Sequence, residues 1–577
     1  MSVRPEPWPE PAAEIAAVVR RMYGGRQRKP LPVMVRDQLG ELFADEEFAV
    51  AFGVRGRPGW SPGRLALVTV LQMAENLTDR QAADAVRLRI DWKYALGVDL
   101  DDAGFDASVL SEFRARVVAH GLEERVLDLL LAAVKDAGLV RAGGKQRTDS
   151  THVVAAVRDL NRLELAGESV RAALEALAVA APGWLAQVID VAEWNTRYAA
   201  RIDTWRLPAS KTARDQLVAA YGRDGFALLR AVHAAETPDW LARVPAVDVL
   251  RVVLVQNYLL TEDRSGREVV KWREADTDGL PPGRRRLTSP YDTDARWAAK
   301  GDDLFWNGYK IHITETCEAP SPSRDTRPDG GRVAEPPNLI TNVATTPATV
   351  PDVTMTEPIH ASLAARGLTP DEHYLDSGYA SAALTTTSWK TFGISLVTPL
   401  LADCSPQARA GGGYDRSAFT IDFDRKQATC PQGQTSAHWN PVRQRGTDAI
   451  VIAFPPTACR PCPARDHCTT SKAGCRRLTV HPRDVHDAQR DARARQNTAD
   501  WQARYALRAG VEGTMRQAVA VTDTRRARYR GLAKTHLEHV YSAVALNLIR
   551  LDAHWNNRPL DRTRTTHLAR LEHTLAA

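Results

Sequence analysis

Two aspartates stand next to strand-like segments, where acids are well placed to bind a metal ion. Asp149 lies in the polar cluster TDSTH, directly before an apolar run. Asp376 closes the segment EHYLD, and Gly378 after it permits a sharp turn. Taken alone, each acid is better explained as a turn residue or a helix cap, so the metal hypothesis depends on a further acid in the right place.

A third acid, Glu512, lies in the segment RYALRAGVEGTMRQAV. Tyr505, Arg508 and Glu512 follow spacings of three and four residues, which puts them on one face of a predicted helix. Gly510 and Gly513 flank the acid, and each costs about 1 kcal/mol relative to Ala inside a helix. Glycines retained at such a cost predict the close approach of another backbone or of a ligand.

Together these acids suit phosphodiester chemistry. Carboxylates from separated strands and a helix can hold two divalent ions about 3.5 to 4 Å apart, one activating the attacking oxygen and the other stabilising the leaving oxygen. Hard oxygen ligands select Mg²⁺ or Mn²⁺. We therefore expect Asp149, Asp376 and Glu512 to be catalytic ligands of two Mg²⁺ or Mn²⁺ ions.

Five of the seven cysteines fall within one short segment. Thiolates at the spacing of Cys430, Cys459, Cys462 and Cys468 suit a tetrahedral structural Zn²⁺, with Cys475 as the substitute ligand. The alternative is free thiols in a reducing cytosol. Zinc is the favoured interpretation because a mostly polar segment has too few apolar residues for a hydrophobic core of its own and needs a structural metal to stabilise it.

Basic residues cluster in two places. The first is the run Arg284–Arg286 with the strand-like segment after it, where Lys310 and His312 are expected to lie near the metal site and contact phosphate. A solvated charged loop is the alternative for this region. The second cluster follows Glu512 and is dense enough to bind DNA phosphates. Its members are Arg525, Arg526, Arg528, Arg530 and Lys534.

The elements that must position these residues are strand-like segments at 146–157, 308–317, 338–347 and 394–399. A helical segment and the short strand EHYL precede the last of them. The order is βββαβαβ, with the first hairpin split by an insertion, which predicts an α/β domain with a mixed sheet covered by helices.

The N-terminal part is helical in pattern. Thr78 and Gln81 form a predicted capping box after the run LALVTVLQMAENL, and a second polar start lies at Asp106 and Ser108. This stretch alone favours an ordinary helical bundle, with a DNA-binding helix-turn-helix as the alternative. The expected organisation is a flexible lead-in (1–32), a helical DNA-binding domain (33–140), the first part of an α/β core (141–401) with a helical insertion (about 158–285), a cysteine-bearing insertion (402–480), the last part of the core (481–555) and a tail (556–577).

Composition limits the class of protein. Of 577 residues, 44% are hydrophobic and 25% are charged, as in soluble globular chains, which excludes wholesale disorder. The net charge of +6 is mild, so nucleic-acid binding must rest on local clusters. No stretch approaches the roughly 18 uncharged apolar residues of a membrane span, and the first thirty residues lack the pattern of a signal peptide. We expect a cytoplasmic protein without a membrane partner.

Several segments in the same order resemble transposases of bacterial insertion sequences. They are TDSTHV, SPYDTDARW with NGYKIHITETC, YLDSGYAS, and YALRAGVEGTMRQAV with the arginine-rich segment after it. The resemblance is to the DDE type with a ribonuclease H-like core, is closest to insertion-sequence family eleven-eighty-two, and covers about residues 35 to 555.

The resemblance implies residue roles. It assigns the two metals to Asp149, Asp376 and Glu512, and DNA contacts to Tyr505 and Arg508. Relatives carry a Lys seven residues after the Glu, whereas this chain has Val519, and Arg516 or Arg525 is the expected replacement.

The resemblance also implies an activity: metal-dependent cleavage at the element ends, freeing a 3′-hydroxyl, and strand transfer into target DNA. The implied partners are the terminal inverted repeats, target DNA and a second copy of the chain in the synaptic complex. When bound to DNA, the protein is expected to be associated with the nucleoid. A nuclease of the same fold without strand transfer is one alternative. A DNA-binding regulator derived from a decayed transposase is another, although the presence of all three acids argues against decay.

Overall fold

The structure is a computed structural model that describes residues 2–25, 28–56, 58–202, 207–317, 336–444, 446–556 and 558. The expected tail (556–577) therefore lies almost wholly outside the described residues. The described part of the chain is a mixed α/β protein, as expected. None of its described helices is long and apolar enough to cross a membrane.

The described residues before the first strand form helices. They are α1 (Ala13–Tyr23), α2 (Leu31–Leu39), α3 (Pro62–Ala74), α4 (Asp79–Leu88), α5 (Ile90–Leu96), α6 (Ser108–Ala119) and α7 (Arg125–Asp136). The expected capping box is present at the start of α4, with both reciprocal bonds between Thr78 and Gln81. The segment expected to be a flexible lead-in contains α1, because Ile15 and Val19 repeat at helical spacing and are buried.

Strand β1 (Lys145–Val154) is followed by the helical insertion. The insertion comprises α8 (Arg162–Ala180), α9 (Pro182–Val188), α10 (Val191–Tyr198), α11 (Lys211–Val232), α12 (Pro245–Asn257), the hairpin β2 (Tyr258–Glu262) and β3 (Glu268–Trp272), and α13 (Ala275–Asp278). It has a hydrophobic core of its own, built from the inner faces of α8, α11 and α12.

The chain then returns to the main sheet. The next elements are β4 (Arg296–Lys300), β5 (Leu304–Thr316), β6 (Ile340–Pro347), α14 (Thr356–Ala365), β7 (Glu372–Tyr374), α15 (Ala382–Phe392) and β8 (Ser395–Val397). Strand β5 runs antiparallel to β1, β4 and β6, whereas β7 is parallel to both β1 and β8. The order across the sheet is β6-β5-β1-β7-β8, with β4 pairing with the first part of β5.

The cysteine-bearing insertion follows and is mostly short strands. It contains α16 (Pro406–Ala410), β9 (Thr420–Asp422), β10 (Gln427–Thr429), β11 (His438–Gln444), β12 (Thr447–Ala453), α17 (Pro456–Cys459), α18 (Arg465–Cys468) and β13 (Arg477–Val480). A small apolar cluster around Phe419, Ile452 and Phe454 holds these elements together.

Four helices complete the part of the chain that the structure describes: α19 (Arg483–Arg495), α20 (Ala499–Tyr505), α21 (Gly510–Thr522) and α22 (Leu532–Trp555). Helix α22 is buried along most of its length and packs against β6 on one side and against α2, α3, α6 and α7 on the other. The N-terminal helices and the main sheet therefore share one hydrophobic core through α22.

Candidate active site

The three predicted acids converge on a single guanidinium. Nη2 of Arg508 lies 2.8 Å from Oδ2 of Asp149 and 3.9 Å from Oδ2 of Asp376. Nη1 of the same side chain lies 3.5 Å from Oε1 of Glu512. Residues more than 350 positions apart in the chain thus meet at one point, as the metal hypothesis requires.

The sheet positions the two aspartates. Asp149 lies on β1, whose neighbours are β5 and β7, and its Oδ1 accepts a hydrogen bond from the Ser150 amide at 2.8 Å. Asp376 follows β7 and caps a 3-10 turn by accepting the Gly378 amide at 2.8 Å. A Cβ at position 378 would lie 3.0 Å from the Asp376 carboxylate, so the glycine lets that carboxylate fold back onto the turn.

The segment that carries Glu512 is broken rather than continuous. Tyr505 ends α20, residues Ala506–Ala509 form a 3-10 turn, and Glu512 lies in the first turn of α21. The spacing of four residues still brings Arg508 and Glu512 together. Tyr505 is half-buried, and its ring stacks on that of Trp501 with the ring centroids 4.9 Å apart. The two aromatic rings therefore lie on the segment directly before Arg508.

Charge in the site is out of balance. Three carboxylates face one guanidinium; the exposed fractions of their side chains rise from 16% at Asp149 through 34% at Asp376 to 54% at Glu512. Burial raises the pKa of the Asp149 carboxyl, and Arg508 opposes that shift. Burial also disfavours the charge on Arg508, but the surrounding acids outweigh it and raise the pKa of the guanidinium.

This donor set fits a divalent cation. Its ligands are carboxylate oxygens, which Mg²⁺ and Mn²⁺ prefer, and two negative charges remain after Arg508 is counted. As the side chains stand, the described residues contain no group of three or more His, Cys, Asp or Glu side chains arranged to hold a metal. Arg508 occupies the point at which the carboxylates converge, so metal binding requires its guanidinium to move aside.

A buried ionic network, whose pairing was not predicted from the sequence, joins β1 and β5 to α21 and α22. The carboxylate of Glu315 is fully buried, and it accepts from Arg147 at 2.8 Å, from Arg550 at 2.8 Å and from Thr514 at 2.5 Å. Arg147 also donates to the Leu507 carbonyl at 2.7 Å. Because Thr514 lies on α21 and Leu507 just before it, the network fixes the helix of Glu512 against β1.

Lys310 and His312 lie behind the acids rather than on an open surface. Lys310 forms an ion pair with Asp352, which also accepts from Ser150 at 2.9 Å. His312 is fully buried, with its ring nitrogens 2.6 Å from the Tyr379 hydroxyl and 3.2 Å from Thr346. Burial lowers the pKa of His312 to about 4, so the ring is neutral and supports the sheet in this conformation.

The predicted basic residues after Glu512 divide into two groups. Arg516, Arg525, Arg526 and Arg530 are exposed. Arg528 instead donates to the Leu77 carbonyl at 2.7 Å and contacts Asn76, so it ties this segment to the N-terminal helices. The exposed members are accessible to phosphate, and of these Arg525 also donates from Nε to Thr151 Oγ1 at 3.2 Å. Arg528 is engaged in the fold.

The four predicted zinc ligands line one small cavity. Cys430, Cys459, Cys462 and Cys468 all border it, and the Sγ of Cys430 accepts the Gln434 amide at 3.3 Å. All four are free thiols, and Cys475 is buried outside the lining of this cavity. Burial raises the pKa of Cys468, and the other three cysteines are close enough to raise it further.

Two segments of the chain match known protein families. Residues 25–116 match the family model described as Transposase domain (DUF772), and residues 429–552 match the one described as Transposase DDE domain. The second match includes Glu512 and the cysteine cavity. No curated protein and no solved structure matches the chain. The two matches confirm the resemblance to DDE transposases of insertion sequences.

Proposed function

We propose that this chain is a DNA transposase that cleaves DNA at the ends of its element and joins the freed ends to target DNA. The observation that carries the proposal is the convergence of Asp149, Asp376 and Glu512 on Arg508. The matches to two transposase domains agree with it, one in the N-terminal helices and one in the segment that carries Glu512.

The proposed core is ribonuclease H-like. In support, the main-sheet elements follow one another along the chain in the expected order βββαβαβ, with β4 added as an extra edge strand. The helical insertion interrupts the first hairpin and the cysteine-bearing insertion precedes the last helices. Both interruptions leave β1, β7 and α21 together, so each acid keeps its place relative to the others.

In this proposal the acids hold the catalytic cations and the rest of the site orients DNA. Two Mg²⁺ or Mn²⁺ ions bound by Asp149, Asp376 and Glu512 would supply an activated attacking oxygen and stabilise the leaving oxygen. Water adds to the phosphorus at the element end as the bond to the 3′-oxygen breaks. The freed 3′-hydroxyl then attacks a target phosphodiester by the same in-line displacement.

Arg508 has two roles in this scheme. Without DNA it neutralises part of the charge of the three acids. With cations bound, its guanidinium is free to turn toward a phosphate, which suits a planar side chain with five N–H donors. Tyr505 and the exposed arginines Arg516, Arg525, Arg526 and Arg530 extend the proposed DNA surface beyond the acids.

The N-terminal helices are proposed to bind the terminal inverted repeats, and two copies of the chain to hold two ends together. The cysteine cavity is proposed to bind a structural Zn²⁺. Four thiols that line one cavity within a largely polar insertion are the donor set that a tetrahedral zinc site uses. The described thiols are not yet arranged to hold a metal, so zinc binding requires their sulfurs to move closer together.

The test uses isosteric substitutions in the full chain. Asp149→Asn, Asp376→Asn and Glu512→Gln should each abolish Mg²⁺-dependent cleavage of the DNA that borders the gene, while gel-shift binding of that DNA persists. Asp500→Asn, at an exposed acid on the neighbouring helix α20, is the matched control and should cleave normally. Cleavage by the Asp376→Asn protein at the parental rate would remove that residue from the site.

Product analysis separates the alternatives. A transposase joins the freed 3′-end to target DNA, so a covalently joined product appears on a denaturing gel. A nuclease of the same fold yields cleaved ends without joined product. A regulator derived from a decayed transposase binds the DNA and yields neither.

A further inference from the structure

An exposed aromatic pair lies on the hairpin formed by β4 and β5. Trp297 and Phe305 are 50% and 53% exposed, and their rings stack with centroids 5.4 Å apart and planes 23° from parallel. The strand register places Trp297 opposite Asn307 and Ala299 opposite Phe305, so both rings project from one face of the hairpin. Exposed apolar side chains that lie in contact with each other on a surface often mark an interaction site.

A run of arginines borders this pair. Arg284, Arg285 and Arg286 are all exposed, and no carboxylate of the described residues lies within ion-pair distance of them. The run is fixed beside β4, because Nε of Arg296 donates to the Arg284 carbonyl at 2.8 Å. The hairpin thus carries its aromatic rings on one face, and the unpaired arginine run lies along the β4 edge of the same hairpin.

The hairpin also reaches the acids. At Gly308 the backbone has a φ of +152°, and an added Cβ would lie 2.2 Å from the Val153 carbonyl, so β5 packs tightly over the end of β1 at this point. The strand register pairs Gly308 with Val154, and Asp149 lies earlier on the same strand, so the hairpin begins beside the strand that carries this acid.

We propose that the hairpin is a stacking surface for unpaired bases of the DNA strand that enters the active site. The inference rests on the proposed function, since it takes DNA as the substrate. Aromatic rings bind unpaired bases of any sequence through their faces, and adjacent cations bind the backbone. Asp302 and Asp303 at the exposed tip repel phosphate, so the strand passes along the arginine run and not over the tip.

Binding of short probes tests the proposal without cleavage. The probes are a blunt 20-base-pair duplex and the same duplex with a four-base single-stranded extension, titrated in EDTA. The parent should prefer the extended probe. The double substitution Trp297→Ala with Phe305→Ala should weaken binding of the extended probe about fivefold or more and leave the blunt duplex nearly unchanged.

Two controls guard against a folding defect. Trp240→Ala removes a tryptophan of similar exposure on the helical insertion, and should bind both probes like the parent. Trp297→Tyr with Phe305→Tyr keeps aromatic faces and should retain the preference for the extended probe.

The arginine run is tested separately. Arg284→Ala with Arg285→Ala and Arg286→Ala should weaken binding of both probes and lower the slope of log affinity against log salt by about 2 to 3.

Cross-linking locates the contact directly. Extended probes carrying 5-iodouracil in the extension should form photo-adducts with Trp297 or Phe305, identified by mass spectrometry. Adducts only elsewhere, or an unchanged preference in the double alanine variant, would overturn the proposal. So would a change confined to self-association in sedimentation, because the surface would then bind a second copy of the chain. Failure of the parent to cleave DNA counts against the proposed function alone, since these measurements need no cleavage.

Discussion

Gly510 and Gly513 flank Glu512 in α21, and they should respond in opposite ways to the same substitution. A Cβ at position 510 would lie 2.0 Å from Nη1 and 2.4 Å from Cζ of Arg147. At position 513 the added Cβ has no described atom within 4 Å apart from its chain neighbours and the backbone of its own helix. Gly510 has a φ of −64°, so Ala suits its backbone and the conflict is with the guanidinium alone.

The size of the effect follows from what holds that guanidinium. Arg147 is bound to the buried carboxylate of Glu315 and to the Leu507 carbonyl, so it cannot swing away freely. Breaking a buried ion pair costs about 3 to 5 kcal/mol, and the lower figure applies because Arg550 stays on Glu315. Replacing Gly by Ala stabilises a helix by about 1 kcal/mol, which partly offsets this loss. We expect Gly510→Ala to lower the free energy of unfolding by about 2 kcal/mol.

Gly513→Ala is the matched control and should stabilise the chain by up to about 1 kcal/mol, since only helix propensity changes. Thermal unfolding followed by tryptophan fluorescence, in EDTA, compares the midpoints of the two variants with the parent. Gly510→Ala should also reduce cleavage, because Glu512 lies two residues farther along the same helix. Equal increases in the midpoint for both variants would refute the role assigned to Arg147.

Three further predictions concern charge and metal. Arg508→Ala should unfold at a lower temperature than the parent in EDTA and be stabilised more by added Mg²⁺, because no internal cation then competes for the acids. Equal Mg²⁺-induced shifts in the thermal midpoint would contradict this. Glu538 is fully buried, and burial raises its pKa to about 8, so the folded state favours the neutral acid and stability falls as pH rises from 4.5 to 8. Glu538→Gln keeps an acceptor for the Arg528 amide and should flatten that part of the stability profile, as chemical unfolding at several pH values would show. Protein purified under reducing conditions should contain zinc by elemental analysis, and Cys459→Ser with Cys462→Ser should lose the zinc and expose the insertion to protease before the core.

Local patterns predicted the strands well. In segments such as KIHIT, apolar residues either alternate with polar ones or follow one another without a break, as in strands. The structure has strands at the expected positions, namely β1, β5, β6 and β8. The order of elements then brings strand and helix ends together, which is why the three acids predicted from the sequence lie around the same guanidinium. The position of Arg508 among the three acids was not predictable. An arginine that bridges several acids in the folded protein looks the same in the sequence as one that faces solvent.

The buried network shows where a signal was present and where it was absent. Glu315 is in phase with Ile311 and Ile313 on β5, and a charged residue on the buried face of a strand demands partners. That pattern was readable. Its partners Arg147 and Arg550 lie on other elements far away in the chain, and only the folded arrangement identifies them.

Helix α22 joins residues 33–140, which are expected to form a helical DNA-binding domain, to the rest of the fold. This helix fills the core of the N-terminal helices, packing against α3, α6 and α7, while Arg550 near its end binds Glu315 beside the active site. A fragment that ends at residue 140 would expose the apolar faces that α22 covers, so its failure to bind DNA would say little about the intact protein. Binding by the N-terminal helices is therefore better measured by substitutions on their exposed faces in the full chain. Helix α22 also fixes the position of one proposed DNA surface relative to the other. It packs against the N-terminal helices, which are proposed to bind the terminal repeats, and against β6 of the sheet that carries the active site.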